Sequence, residues 1–202
     1  MLELRQVLDD IATALVVLDG SGKPCKNFQP GVGPYGEPQL VRFVAECFKQ
    51  LKPYGTVQTK RTPDLLISGQ WALEFKIVRP FGDNGKEAEN WSVNLLHPYE
   101  GNVSLIGDCL KLSRLEGCER KAAIVIGYEH TPARISLLPL LDSFEIIGTM
   151  IAKIALGKRV QVERSGLRHP VHQKLFVVGW EVLDPIKAPA PEGADENSPA
   201  RP

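Results

Sequence analysis

Between Thr62 and Arg79 the chain carries two short runs of alternating side chains that can pair as β-strands in essentially one way. In the first run Leu65 and Ile67 point to one face, with Asp64, Leu66 and Ser68 on the other. In the second, Trp71, Leu73, Phe75 and Ile77 oppose Ala72, Glu74 and Lys76. A slip of one residue would put charges into the core, so matching the two apolar sets pairs Ile67 with Trp71 across a Ser68-Gly69-Gln70 turn. Carried back along the ladder, that register sets Asp64 opposite Glu74. Side chains paired in this way have Cβ atoms about 4.5–5.5 Å apart, where like charges repel. A hard divalent ion such as Mg²⁺ would relieve that repulsion and still leave room for a phosphate oxygen. Lys76, two residues beyond Glu74, points an ammonium at the same place.

The flanking segments predict an α/β domain. Leu4, Val7, Leu8, Ile11 and Leu15 recur at helical spacing and predict an opening helix over residues 3–18. Five glycines and four prolines between Gly20 and Pro38 predict a long surface loop. A second helix follows from about Pro38, with Leu40, Phe43, Val44, Cys47 and Leu51 as its apolar stripe. Strands are expected at 56–60, 64–68 and 71–79, a third helix at 102–115 and a buried strand at 122–127. A helix over 141–156 and strands near 159–164 and 174–183 complete the expected domain, 1–184. The segment 185–202, rich in Pro, Ala and acids, is expected to be a disordered tail.

Composition narrows the function classes. Apolar residues make up 43% of the 202 and charged residues 24%, ordinary globular values that disfavour wholesale disorder. No stretch approaches the roughly 18 apolar residues of a membrane span, and the opening Met-Leu-Glu-Leu-Arg-Gln lacks the basic start and apolar run of a secretion signal. A cytoplasmic protein that does not engage membrane is expected. Twenty-four basic and twenty-four acidic side chains cancel, so a polyanion must be held by local charge. Cys25, Cys47, Cys109 and Cys118 form no CxxC pair, which leaves buried or free thiols as the expectation.

Pro63-Asp64, followed on the next strand by Glu74-Phe75-Lys76, resembles the PD-(D/E)XK nuclease superfamily, which includes restriction enzymes and junction resolvases. The resemblance covers about residues 37–127. It implies a restriction-endonuclease-like αβββαβ core with a mixed central sheet flanked by helices, here with an N-terminal helix and a C-terminal helix and strands added. By position, Asp64 and Glu74 correspond to metal-binding carboxylates, Lys76 to the catalytic lysine and the Phe75 carbonyl to a further metal ligand. Many members add an acid from the preceding helix. Glu37, three and seven residues before Leu40 and Val44, lies at the inward end of that helix, whereas Glu46 falls on its polar face, so Glu37 is the candidate. An acid at a helix start is equally favoured by the helix dipole alone.

These features predict a Mg²⁺-dependent endonuclease, with Mn²⁺ as a substitute, that hydrolyses DNA phosphodiester bonds, and the resemblance implies 5′-phosphate and 3′-hydroxyl ends. Symmetric double-strand cutting would suit a homodimer. Lys60 and Arg61 form an acid-free cluster with Lys49 and Lys52 just before Asp64. A second cluster, Lys153, Lys158, Arg159, Arg164, Arg168 and Lys174, faces only Glu163, and both are candidate phosphate-contacting surfaces. Two other classes remain open. One is an inactive nuclease-like fold that binds nucleic acid or serves as an assembly subunit. The other is a nucleotide-binding protein using Gly31-Val-Gly-Pro-Tyr-Gly36, although no strand leads into that loop. His169 and His172 are expected as a solvated pair; Asp108 and Lys111, on one face of the third helix, are expected as a surface ion pair, with support of the candidate site as the alternative.

Overall fold

A computed structural model describes residues 1–98, 104–117 and 119–183. The expected tail, Cys118 and the first two residues of the expected third helix lie outside the described residues.

Six strands form one mixed sheet: β1 (Val57–Thr59), β2 (Leu65–Ile67), β3 (Trp71–Val78), β4 (Arg120–Glu129), β5 (Val160–Ser165) and β6 (Lys174–Glu181). Their order across the sheet is β1-β2-β3-β4-β6-β5. Only β3 and β4 run parallel, and the chain crosses between them through helices α3 (Val93–Leu96) and α4 (Leu105–Ser113). The predicted register holds, with Ile67 opposite Trp71 and Leu65 opposite Leu73. Gly69 makes the connection, because its φ of 71° lies where a side chain would be strained.

Strand alternation divides the core into two layers. Leu65, Ile67, Trp71, Leu73, Phe75 and Ile77 face α1 (Leu4–Gly20) and α2 (Glu37–Lys49), where Leu8, Ile11, Leu15, Val44 and Phe48 are fully buried. Ala72 and Val78 instead face α4 and α5 (Leu138–Ile146), with Ile106, Leu112 and Phe144 behind them. Fully burying a side chain of this size is worth about 1.5–3 kcal/mol, so a charge at any of these positions would cost more than a typical local contact returns. Glu74 and Lys76 share the parity of Ala72 and therefore face the α4 layer.

Three expectations are corrected. The helix expected at 141–156 begins earlier, with Pro139 in its first turn, and gives way at Ile147–Ile151 to a wider π turn containing Gly148. The glycine-rich loop is not wholly at the surface: Gly31 to Pro34 are buried, and the buried Asp19 carboxylate accepts hydrogen bonds from the Val32 and Arg168 amides at 2.9 Å each. His169 and His172 are buried and stacked, ring centroids 4.4 Å apart, rather than solvated. His169 Nε2 lies 2.7 Å from Asp83 Oδ1, and the His172 ring occupies the space a side chain at position 33 would need. Burial holds His172 down at about 4, so its ring is neutral at physiological pH. The glycine-rich loop is thus packed from inside by His169 and His172. Cys25, Cys47 and Cys109 are free thiols, and no described helix is long and apolar enough to cross a membrane.

Candidate active site

The site arises from a mismatch in strand length. β2 has three residues and β3 eight, so beyond Leu73 the β2-side edge of β3 has no strand partner. Asp64, immediately before β2, fills part of that gap: its Oδ2 accepts a hydrogen bond from the Phe75 backbone N–H at 2.8 Å. The N–H and C=O of one strand residue point to the same edge, so the Phe75 carbonyl is directed toward Asp64 as well.

Continuing the observed register places Asp64 across from Glu74. Glu74 is only 4% exposed. Burial first, and then the adjacent Asp64 within hydrogen-bonding reach, raise its carboxyl pKa to about 9. At neutral pH Glu74 therefore keeps its proton when no cation is present.

Lys76 is turned to the same face. Its ammonium lies 2.9 Å from Asp108 Oδ2 on α4 and 3.7 Å from Glu37 Oε1 at the first residue of α2. Burial works against the ammonium, but Glu37, Asp108 and Asp64 outweigh it and hold Lys76 charged. Asp108 is itself buried, and its other oxygen takes Lys111 Nζ at 2.8 Å. Glu37 reaches the cluster from the opposite helical layer, around the open strand edge. The Gly36 backbone starts α2, with the Gln39 side chain accepting from the Gly36 N–H at 2.9 Å. Burial raises the Glu37 carboxyl pKa; Lys76 and the Ile77 backbone oppose that shift, while Asp64 and Asp108 add to it.

The sequence-predicted residues Asp64, Glu74, Phe75, Lys76 and Glu37 are therefore brought together. Within the group, Asp64, Glu74 and the Phe75 carbonyl are the oxygens able to hold a hard cation, because the Glu37 carboxylate is drawn to Lys76. Among the described residues, no group of three or more His, Cys, Asp and Glu side chains stands in a metal-holding arrangement. Asp108 makes the expected pair with Lys111 but is buried rather than at the surface, and is also the nearest partner of Lys76. Its burial depends on α4 lying over β3, which helical periodicity alone does not reveal.

A cavity of about 320 Å³ opens beside these acids, lined by Glu37, Arg42, Thr59, Lys60, Arg61 and Asp64 among others. Lys60 and Arg61 sit in the turn leading into β2, where the Lys60 N–H donates to the Asp64 carbonyl at 3.2 Å. The second basic cluster lies elsewhere, on and around β5 at the far edge of the sheet. There Arg159 is engaged by Glu145 and Asp142, and Arg164 by Asp9 at 2.7 Å. Lys158 lines a separate cavity with Glu145 and Met150. The Arg168 guanidinium lies against Gly22.

No protein-family model, curated protein or solved structure matches this chain.

Proposed function

We propose that this protein is a metal-dependent nuclease that hydrolyses DNA phosphodiester bonds, built on a restriction-endonuclease-like core. The observation carrying the proposal is the meeting of Asp64, Glu74 and Lys76 at one open strand edge, beside a cavity rimmed by Arg42, Lys60 and Arg61. The order α2-β1-β2-β3-α4-β4, with β3 and β4 parallel, supports the same core.

The residues present suit a divalent cation, because the buried Glu74 carboxyl is held against the half-buried Asp64 carboxyl. Asp64 and Glu74 would hold Mg²⁺ or Mn²⁺, with the Phe75 carbonyl as a neutral donor. When bound, such an ion supplies Lewis acidity toward the phosphate. The remaining work belongs to the chain itself. Glu74 would give up its proton for the two acids to hold the cation. Lys76, kept charged and oriented by Asp108 and Glu37, offers an ammonium to the developing negative charge of the phosphoryl group. Lys60, Arg61 and Arg42 attract the polyanion to the cavity mouth.

The test is incubation of the purified chain with linear, supercoiled and branched DNA in Mg²⁺, Mn²⁺ or chelator. Asp64→Ala, Glu74→Ala and Lys76→Ala should each lower cleavage by at least about 10²-fold, the scale of losing one transition-state contact. Unchanged activity in all three variants would remove the assignment. Binding without metal-dependent nicking on any of these substrates would favour an inactive nuclease-like fold that only holds nucleic acid.

A further inference from the structure

A second cavity opens where β3 leaves the candidate site. It measures about 260 Å³ and is lined by Ile77, Arg79, Phe81, Glu89, Trp91 and Asn94 among others. Ile77 follows Lys76 in β3 with its side chain on the opposite face, and Arg79 and Phe81 lie just past the strand's end at Val78.

The lining has a consistent chemistry. Trp91 is half-buried, one side packed on the α4 layer, and presents a flat indole. Phe81 beside it carries the Arg134 guanidinium 4.9 Å from its ring centroid. The Arg79 guanidinium is held in place by the Tyr35 carbonyl at 3.1 Å. Asn94 is exposed, and among the described residues neither its amide nor the Trp91 indole N–H has a hydrogen-bond partner. An aromatic plane offers stacking, an amide offers both a donor and an acceptor to a base edge, and Glu89 can accept from an exocyclic amine. The volume is several times that of a water molecule, whose share of liquid is about 30 Å³.

We infer that this cavity receives one unstacked base of the strand being cut. The inference rests on the nuclease reading and adds a substrate class to it: single-stranded, frayed or branched DNA in preference to an uninterrupted duplex, because the base must leave its stack to enter.

Tryptophan fluorescence of the full chain, in chelator so that nothing is cleaved, provides the readout. The chain has three tryptophans, and Trp71 and Trp180 are fully buried, so a stacking base quenches Trp91 alone. Single-stranded oligothymidylate should quench saturably, whereas an abasic strand of equal length and charge should not. Trp91→Ala should weaken binding of the oligothymidylate by about 5- to 100-fold, and Trp91→Phe should restore most of it. In turnover the loss should fall on KM rather than kcat. Unmoved fluorescence, equal affinity for the abasic strand, or unaltered binding by Trp91→Ala would overturn the inference. The abasic comparison uses the unaltered chain, so a misfolded variant does not remove the test. Cleavage that needs Lys76 but ignores Trp91 would sink the base pocket and leave the nuclease reading intact. Base-dependent quenching in a protein that cuts nothing would do the reverse.

Discussion

Glu74→Gln should make the cation-free protein more stable, by an amount that grows with pH. In the folded chain burial and Asp64 raise the Glu74 carboxyl to about 9, while an unfolded glutamate titrates near about 4.3. A carboxyl raised on folding contributes fully below its unfolded value, and its contribution falls as pH climbs toward the folded one. Between pH 6 and 8 folded Glu74 retains a proton that the unfolded chain has already lost. Stability then declines with pH, by roughly 3 kcal/mol over that window. For a chain of this size that is a fall of about 5–11 °C in Tm. Glutamine keeps the shape and the hydrogen-bond donor of the protonated acid but has no proton to lose. Urea or thermal melts of both proteins in chelator, from pH 6 to 8, isolate the difference, because every other titrating group is common to the two. Parallel curves would refute the retained Glu74 proton. Added Mg²⁺ should flatten the wild-type curve and release close to one proton per ion bound.

Asp108→Asn removes the acid nearest Lys76 but leaves Glu37 at 3.7 Å; kcat should fall with KM little changed, and stability by about 1–3 kcal/mol, read by steady-state kinetics and urea titration. Lys60→Ala and Arg61→Ala should each weaken DNA binding and lower the salt slope of log K by about 1. Arg159→Ala, whose guanidinium is already engaged by Glu145 and Asp142, should leave that slope unchanged, as binding titrations over a salt series would show. Gly33→Ala would push a methyl group to 2.2 Å from His172 Nδ1, and should cost about 1–3 kcal/mol in urea unfolding without altering the acidic cluster.

Much of the site is legible in the sequence because period-two alternation leaves a strand only one acceptable register. Matching Leu65 and Ile67 to Trp71 and Leu73 places Asp64 across from Glu74, and Lys76 follows by parity. Glu37 is legible through helical spacing, since Leu40 and Val44 fix the face that α2 turns inward. What eluded reading depends on packing between elements distant in the chain. Asp108 looks like an ordinary i,i+3 partner of Lys111 until α4 is laid over β3. His169 and His172 look like loop histidines because the partners that bury them, Asp83 and the Phe81 carbonyl, lie 86 and 91 residues away. Arg159 and Arg164 look like free cations because Asp142, Glu145 and Asp9 become their neighbours only in the folded chain.

The brevity of β2 has a consequence for the whole sheet. Where a longer strand would have continued the ladder, one carboxylate oxygen satisfies the Phe75 amide and closes the margin. Strip that oxygen away and the bare amide becomes a docking point for any passing extended segment, including another copy of this chain. Asp64 is therefore a hem for the sheet, and a preparation carrying Asp64→Ala should clump more readily than one carrying Lys76→Ala.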